Sequence, residues 1–265
     1  MVSVGLFYRE YGRYNERNPT LILLHGLLGS SANWHGIARK LEANHHLIVP
    51  DLRNHGRSSH SEDVGYPSLA WDVADLIDEH GLDSVVLIGH SMGGKVAMWL
   101  ALEQPEKVAK LVVVDIAPVA YPNRFDTIYA GLLAIDLNNL KQREEADAAL
   151  AGYLDGVSLR QYLLQNLQQR NGEWSWRVNL DALLSGMERI LSFPETSPGA
   201  QYLGATLFIH GNESDYVLAE HSQSISRYFP YMRLRTVPGA GHWVYAEQPD
   251  AFITALTGFL GGKPQ

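Results

Sequence analysis

The chain has 265 residues, 46% of them hydrophobic and 19% charged, so it is long enough to bury a substantial core in one large domain or a domain with an insertion. A net charge of −8 without a basic run excludes nucleic acid and anionic membrane surfaces as expected partners. With no cysteine there is no disulfide, no thiolate metal site and no Cys nucleophile.

The first ten residues, MVSVGLFYRE, lack a basic segment followed by an apolar one, so no secretory signal is expected. No apolar run approaches the roughly 18 residues of a membrane span, and a cytoplasmic location is expected. Residues 4–11 read as a modest strand. Residues 20–24 (TLILL) are apolar on both faces, as a central parallel strand requires, and they run into His25-Gly26-Leu27-Leu28-Gly29. Ser30 or Ser31 caps a helix whose Trp34, Ile37, Ala38 and Leu41 share one face. Strand 46–50 enters a polar loop, Asp51-Leu52-Arg53-Asn54-His55-Gly56, without metal-ligand spacing, so its polar groups are expected to tie the loop to nearby backbone. A helix over about 67–80 starts near Pro67 and stops at Gly81.

Residues 84–100, SVVLIGHSMGGKVAMWL, organise the rest. A β-branched strand, then G-x-S-x-G, then an amphipathic helix is the nucleophile elbow of α/β-hydrolases, in which a strained turn lifts the serine, here Ser91, over the sheet end. A Cβ at Gly89 or Gly93 would collide with the neighbouring strand or helix. In such folds the loop after the first central strand and the residue after the nucleophile each supply an oxyanion N–H, which places that role on Leu27 and Met92.

Strand 110–114 ends in Asp115-Ile116-Ala117-Pro118. Alternation of strand and helix to this point implies a mostly parallel sheet with helices on both faces and a site at the carboxyl ends of its strands. Between Tyr121 and Gly199 the pattern changes to helical segments near 124–135, 138–153, 158–170 and 179–191, with no convincing strand. The expected organisation is an α/β-hydrolase core over 1–120 and 200–265, with a helical cap over 121–199. Trp174 and Trp176 are expected in the cap's own packing. The sheet resumes at 205–210, followed by a helix at 218–229, a strand at 232–237 and a closing helix from Pro249.

A serine hydroxyl needs a base, and His242, on the loop after the last strand, completes the chain order Ser…Asp…His. The acid is less obvious. The pattern G-x-x-D-x-x-V, counted from Gly211, puts Ser214 at the acid position and Val217 at the sixth; Asp215 is one place late. Asp115, at the end of the strand after the elbow helix, is the other place from which a carboxylate reaches the histidine. Asp115 is therefore expected to orient His242, with Ser214 supplementing it.

The segments GHSMGGK, DIAPV, DLRNHG and GAGHWVYAEQPD together resemble the YbfF-type bacterial esterases and the ABHD11 branch of the α/β-hydrolases, through nearly the whole chain and most strongly in the core. The resemblance implies a serine esterase with a three-helix cap and a tetrad at Ser91, His242, Asp115 and Ser214. It also implies a substrate anchor at Arg124 and Tyr216, which His25 and Trp243 join as expected substrate contacts. Asp215 stands where the family pattern has proline. The family acts on simple acyl esters and is associated with acyl-CoA thioesters. The expectation is a carboxylic ester hydrolase acting on a small-molecule acyl ester or thioester through an acyl-enzyme, without metal or organic cofactor. Rival readings are a C–C bond hydrolase or acyltransferase with the same triad, or a non-catalytic module that kept the fold.

Overall fold

The computed structural model describes residues 3–16 and 18–261; the outermost ends of the expected core, 1–2 and 262–265, lie outside the described residues. Tyr8–Tyr11 forms β1, Leu21–Leu24 β2 and Leu47–Pro50 β3; Val85–His90 forms β4 and Val108–Val114 β5. Every position of β2, β3 and β4 is buried, which requires cover on both faces of the sheet. Side chains alternate between two cores. Ile22, Leu24, Leu87 and Val113 face one, while Leu21, Leu23, Ile88 and Val114 face the other.

Helix α1 (His35–Leu41) carries Ile37, Ala38 and Leu41 into the second core, where Trp34 joins them. Helices α2 (Tyr66–Glu79) and α3 (Met92–Glu103) fill the first. The polar loop after β3 is tied as expected: Asp51 accepts the Ser31 N–H at 2.6 Å and the Arg57 N–H at 2.9 Å. Arg53 forms a two-pronged ion pair with Asp72 of α2, both contacts at 2.6 Å, with both side chains buried. Breaking a buried pair leaves an uncompensated charge. Asp72→Asn is therefore expected to cost about 3–5 kcal/mol in urea unfolding.

The chain between β5 and the next sheet strand holds five short helices, against the four segments read from the residues and the three-helix cap implied by the resemblance: α4 (Asp126–Leu133), α5 (Arg143–Ala151), α6 (Val157–Leu164), and α7 (Leu180–Ser185) and α8 (Met187–Leu191), which divide the expected 179–191 helix. It also holds a hairpin where no strand was expected, β6 (Leu167–Arg170) against β7 (Glu173–Trp176). The reason is local. Asn171 and Gly172 both take positive φ, 51° and 87°, which is the two-residue turn that fits the twist of paired strands. Trp174 and Trp176, expected in the packing of this segment alone, are partly buried against a larger apolar cluster that the segment shares with the sheet and α2 and α3.

The sheet continues with β8 (Ala205–Gly211), then α9 (Ser222–Tyr228), β9 (Met232–Val237), α10 (Val244–Glu247) and α11 (Pro249–Gly261). Strand order is β1-β3-β2-β4-β5-β8-β9, with β1 antiparallel and the rest parallel. Among the described residues no helix is long and apolar enough to cross a membrane. Register then places the chemistry. His90 pairs with Val114 and Val114 with Ile209, so Ser91 and Asp115 leave adjacent strands at one edge. Backbone bonds fasten them there, Ser91 N–H to Val114 O at 3.0 Å and Asp115 N–H to Ile209 O at 2.9 Å.

Candidate active site

The elbow is closed tightly enough to force its serine out. A Cβ on Gly89 would lie 2.1 Å from the Gly93 carbonyl oxygen, and one on Gly93 would lie 2.5 Å from that of His25. Between them Ser91 holds φ 52° and ψ −120°, a conformation an L-residue keeps only when its surroundings impose it. Gly26 packs against the nucleophile: a Cβ there would come within 3.2 Å of the Ser91 Cβ. The next loop residues are also fixed, since Leu28 N–H donates to His55 Nε2 at 3.1 Å and Gly29 N–H to Gly26 O at 3.0 Å. Met92 is the first residue of α3, where an N–H has no partner within the helix. Among the described residues, no protein acceptor takes the Leu27 or the Met92 N–H.

Asp115 is fully buried and also has positive φ, 53°. One carboxylate oxygen accepts the Gly211 N–H at 3.2 Å. The other meets His242 Nδ1 at 2.7 Å and accepts the Ser214 hydroxyl hydrogen. Ser214 Oγ in turn accepts the Tyr216 N–H at 3.3 Å. A carboxylate on Nδ1 holds the proton there and leaves Nε2 as the basic nitrogen. The imidazole is held by neighbours: Tyr216 stacks on it at 4.0 Å between centroids, and the His90 ring lies at 4.6 Å. Asp215 is elsewhere. It pairs with Arg124 at the surface, and that guanidinium holds its carboxyl below the usual range.

A pocket of about 180 Å3 opens onto Ser91 and His242, with Leu28, Phe125, Ile128, Leu159, Leu163 and Trp243 in its apolar wall. Arg124 and Tyr216 also line it. His25, expected among the substrate contacts, does not. It is fully buried, with Nδ1–H donated to Gly26 O at 2.8 Å and Nε2 accepting the Leu52 N–H at 2.9 Å. Both ring nitrogens are occupied in tying the Gly26 loop to the loop after β3, so its role is structural.

His90 and Lys95 flank Ser91 in the elbow and were not singled out from the sequence. His90 Nε2 donates to the His242 carbonyl at 2.9 Å, joining the elbow to the histidine loop. Lys95 is buried one turn beyond Ser91, and its ammonium donates to Leu191 O at 2.8 Å and Ser192 O at 2.7 Å. Burial pushes its pKa down to about 7. The available signal for Lys95 was a single lysine in a helix otherwise apolar or glycine up to Leu102. Among the described residues no three His, Cys, Asp or Glu side chains are grouped to hold a metal.

Burial depresses the pKa of His25 and His90, and takes His55 down to about 3. An unfolded histidine takes up a proton near pH 6.5 while the folded His55 stays neutral. The unfolded state therefore binds more protons, and stability falls as the pH drops from about 6.5 towards 3. In urea titrations across that window, His55→Gln is expected to flatten the decline.

Residues 19–249 match the alpha/beta hydrolase fold family. The chain is 39% identical to the mouse (Mus musculus) sn-1-specific diacylglycerol lipase ABHD11 over 250 residues, covering 91% of this chain and 81% of the relative. It is 36% identical to esterase YbfF of Escherichia coli over 244 residues, covering 92% and 93%. A solved marine microorganism esterase superposes with a TM-score of 0.93 at 39% identity, covering 97% of this chain and all of that one. The chain belongs to the α/β-hydrolase fold family, in the branch that holds YbfF and ABHD11.

Proposed function

We propose that this protein hydrolyses acyl esters through an acyl-enzyme on Ser91. It is a carboxylic ester hydrolase, given relatives named esterase and lipase at 36–39% identity over most of the chain. The mechanism is our reading. It rests on one observation above all: Asp115 binds His242 Nδ1 at 2.7 Å, and that histidine shares a pocket with Ser91 on a strained elbow.

In this reading His242 Nε2 takes the Ser91 proton as Oγ attacks the acyl carbonyl. Buried Asp115 stabilises the imidazolium, and the Ser214 hydroxyl and Gly211 N–H keep the carboxylate aimed. The Leu27 and Met92 N–H groups hold the oxyanion, each worth roughly 3–4 kcal/mol on the precedent of such donors. His242 then protonates the leaving alcohol, or the thiol of a thioester, and activates water for the second step. Residues 121–199 act as the cap over a core formed by 1–120 and 200–265. Phe125, Leu159 and Tyr162 from that segment already wall the pocket. Arg124, Tyr216 and Trp243 are the proposed substrate contacts.

A fluorophosphonate probe tests the assignment directly. It is expected to label folded protein once, on Ser91, with labelling slowed severely in His242→Ala. Folded protein that leaves Ser91 unlabelled would favour a non-catalytic module instead.

A further inference from the structure

Two openings meet at Ser91, and they differ in size and in which catalytic residue they contain. The larger, of about 180 Å3, is lined by His242 and Trp243. The smaller, of about 30 Å3, is lined by Met92, Lys95, Ile116, Tyr121 and Ile190, and His242 is not in its wall. Leu27, Ser91, Phe125 and Tyr216 border both.

The chemistry assigns them. A leaving oxygen must come within hydrogen-bond reach of the group that protonates it, here His242. The alcohol portion therefore lies in the larger pocket. With the carbonyl oxygen held between the Leu27 and Met92 N–H groups, the acyl substituent points away from His242, into the smaller recess. We infer that the protein is selective for short acyl groups carried on large apolar alcohols. The inference rests on the acyl-enzyme reading above.

The sizes decide how strong the selection is. At about 30 Å3 against about 180 Å3, the recess favours a small acyl substituent over a long one. A dry cavity of about 150 Å3 in another protein accommodates benzene, so the larger pocket takes a ring or a medium alkyl chain. The recess is also braced against expansion. The Lys95 ammonium grips the carbonyls of Leu191 and Ser192, and the Tyr66 hydroxyl donates to Ile190 O at 2.5 Å. Tyr121 closes the other side, its N–H on Leu191 O at 3.0 Å and its hydroxyl donated to Tyr216 O at 2.6 Å. Both ends of the 121–199 segment are thus pinned beside the elbow helix.

Isomeric esters separate acyl from alcohol preference at constant composition. Hexyl acetate and methyl heptanoate, followed by pH-stat titration, are expected to differ in kcat/KM by at least about 100-fold in favour of the acetate, since even one excluded methylene costs roughly 10–200-fold. Ile190→Ala enlarges the recess and is expected to raise the heptanoate-to-acetate ratio; Ile116→Val is the milder variant should that one fold poorly. Equal rates, or a preference for methyl heptanoate, overturn the inference while fluorophosphonate labelling of Ser91 leaves the hydrolase mechanism standing. If folded protein hydrolyses neither ester and Ser91 is not labelled, both fall.

Discussion

Replacing Ser91 by alanine is expected to lower kcat for ester hydrolysis by roughly 10⁶-fold, because triad members act as a unit and losing the nucleophile removes nearly all the benefit of the others. The fold should survive. The Ser91 side chain makes no structural hydrogen bond among those described, and the elbow is held by its backbone, through Ser91 N–H to Val114 O and Gly94 N–H to Ser91 O at 2.8 Å. The backbone makes a second comparison informative. At φ 52° alanine is strained as serine is, whereas glycine is not. Ser91→Gly should be equally inactive yet more stable than Ser91→Ala by about 1 kcal/mol, read as a higher Tm. An active Ser91→Ala protein would remove the mechanism at its root.

Asp115→Asn is expected to reduce kcat by about 10⁴-fold with little change in KM, since the amide turns its NH₂ towards His242 and favours the wrong tautomer. Asparagine tolerates the left-handed backbone that Asp115 adopts, so the loss should be chemical rather than structural. Ser214→Ala removes one hydrogen bond to that carboxylate, worth roughly 1.5–3 kcal/mol, and should cost about 10–100-fold. Asp215→Asn should do far less. Its partner is Arg124, both side chains are more than half exposed, and an exposed ion pair contributes about 0–1 kcal/mol. Kinetics of the three variants on one ester give a ranking that no rearrangement of the acid would reproduce.

The placement of Ser91 and Asp115 at the ends of adjacent strands was legible in the sequence because each position is imposed locally. A G-x-S-x-G turn between a buried strand and a helix leaves few alternatives, and counting from Gly211 already put Ser214, not Asp215, at the acid position. That the core strands are parallel and covered on both faces followed from apolar runs such as LILL and VVLI. The hairpin at 167–176 was also readable, from Asn171-Gly172, but it lay among helical patterns. His25 is a different kind of failure. Whether a histidine beside a catalytic loop faces substrate or core depends on a partner from another strand's loop, the Leu52 N–H, which no local pattern announces. The same holds for His90 and Lys95, whose partners at 242 and 191–192 are distant in sequence. Local rules place the backbone of this site; long-range packing decides which way its side chains turn.

The acyl-enzyme itself is the central claim, and it can be seen. Rapid mixing with excess p-nitrophenyl acetate should release a burst of nitrophenol equal to the enzyme present. Acid quenching within the burst should trap one acetyl group on the peptide that contains Ser91, and His242→Ala should abolish both signals. Turnover at wild-type rate without a burst would leave the intermediate unseen only if deacylation were fast, which hydroxylamine capture in place of water then reveals. Turnover with no acetyl on Ser91 and no hydroxamate formed would contradict the account.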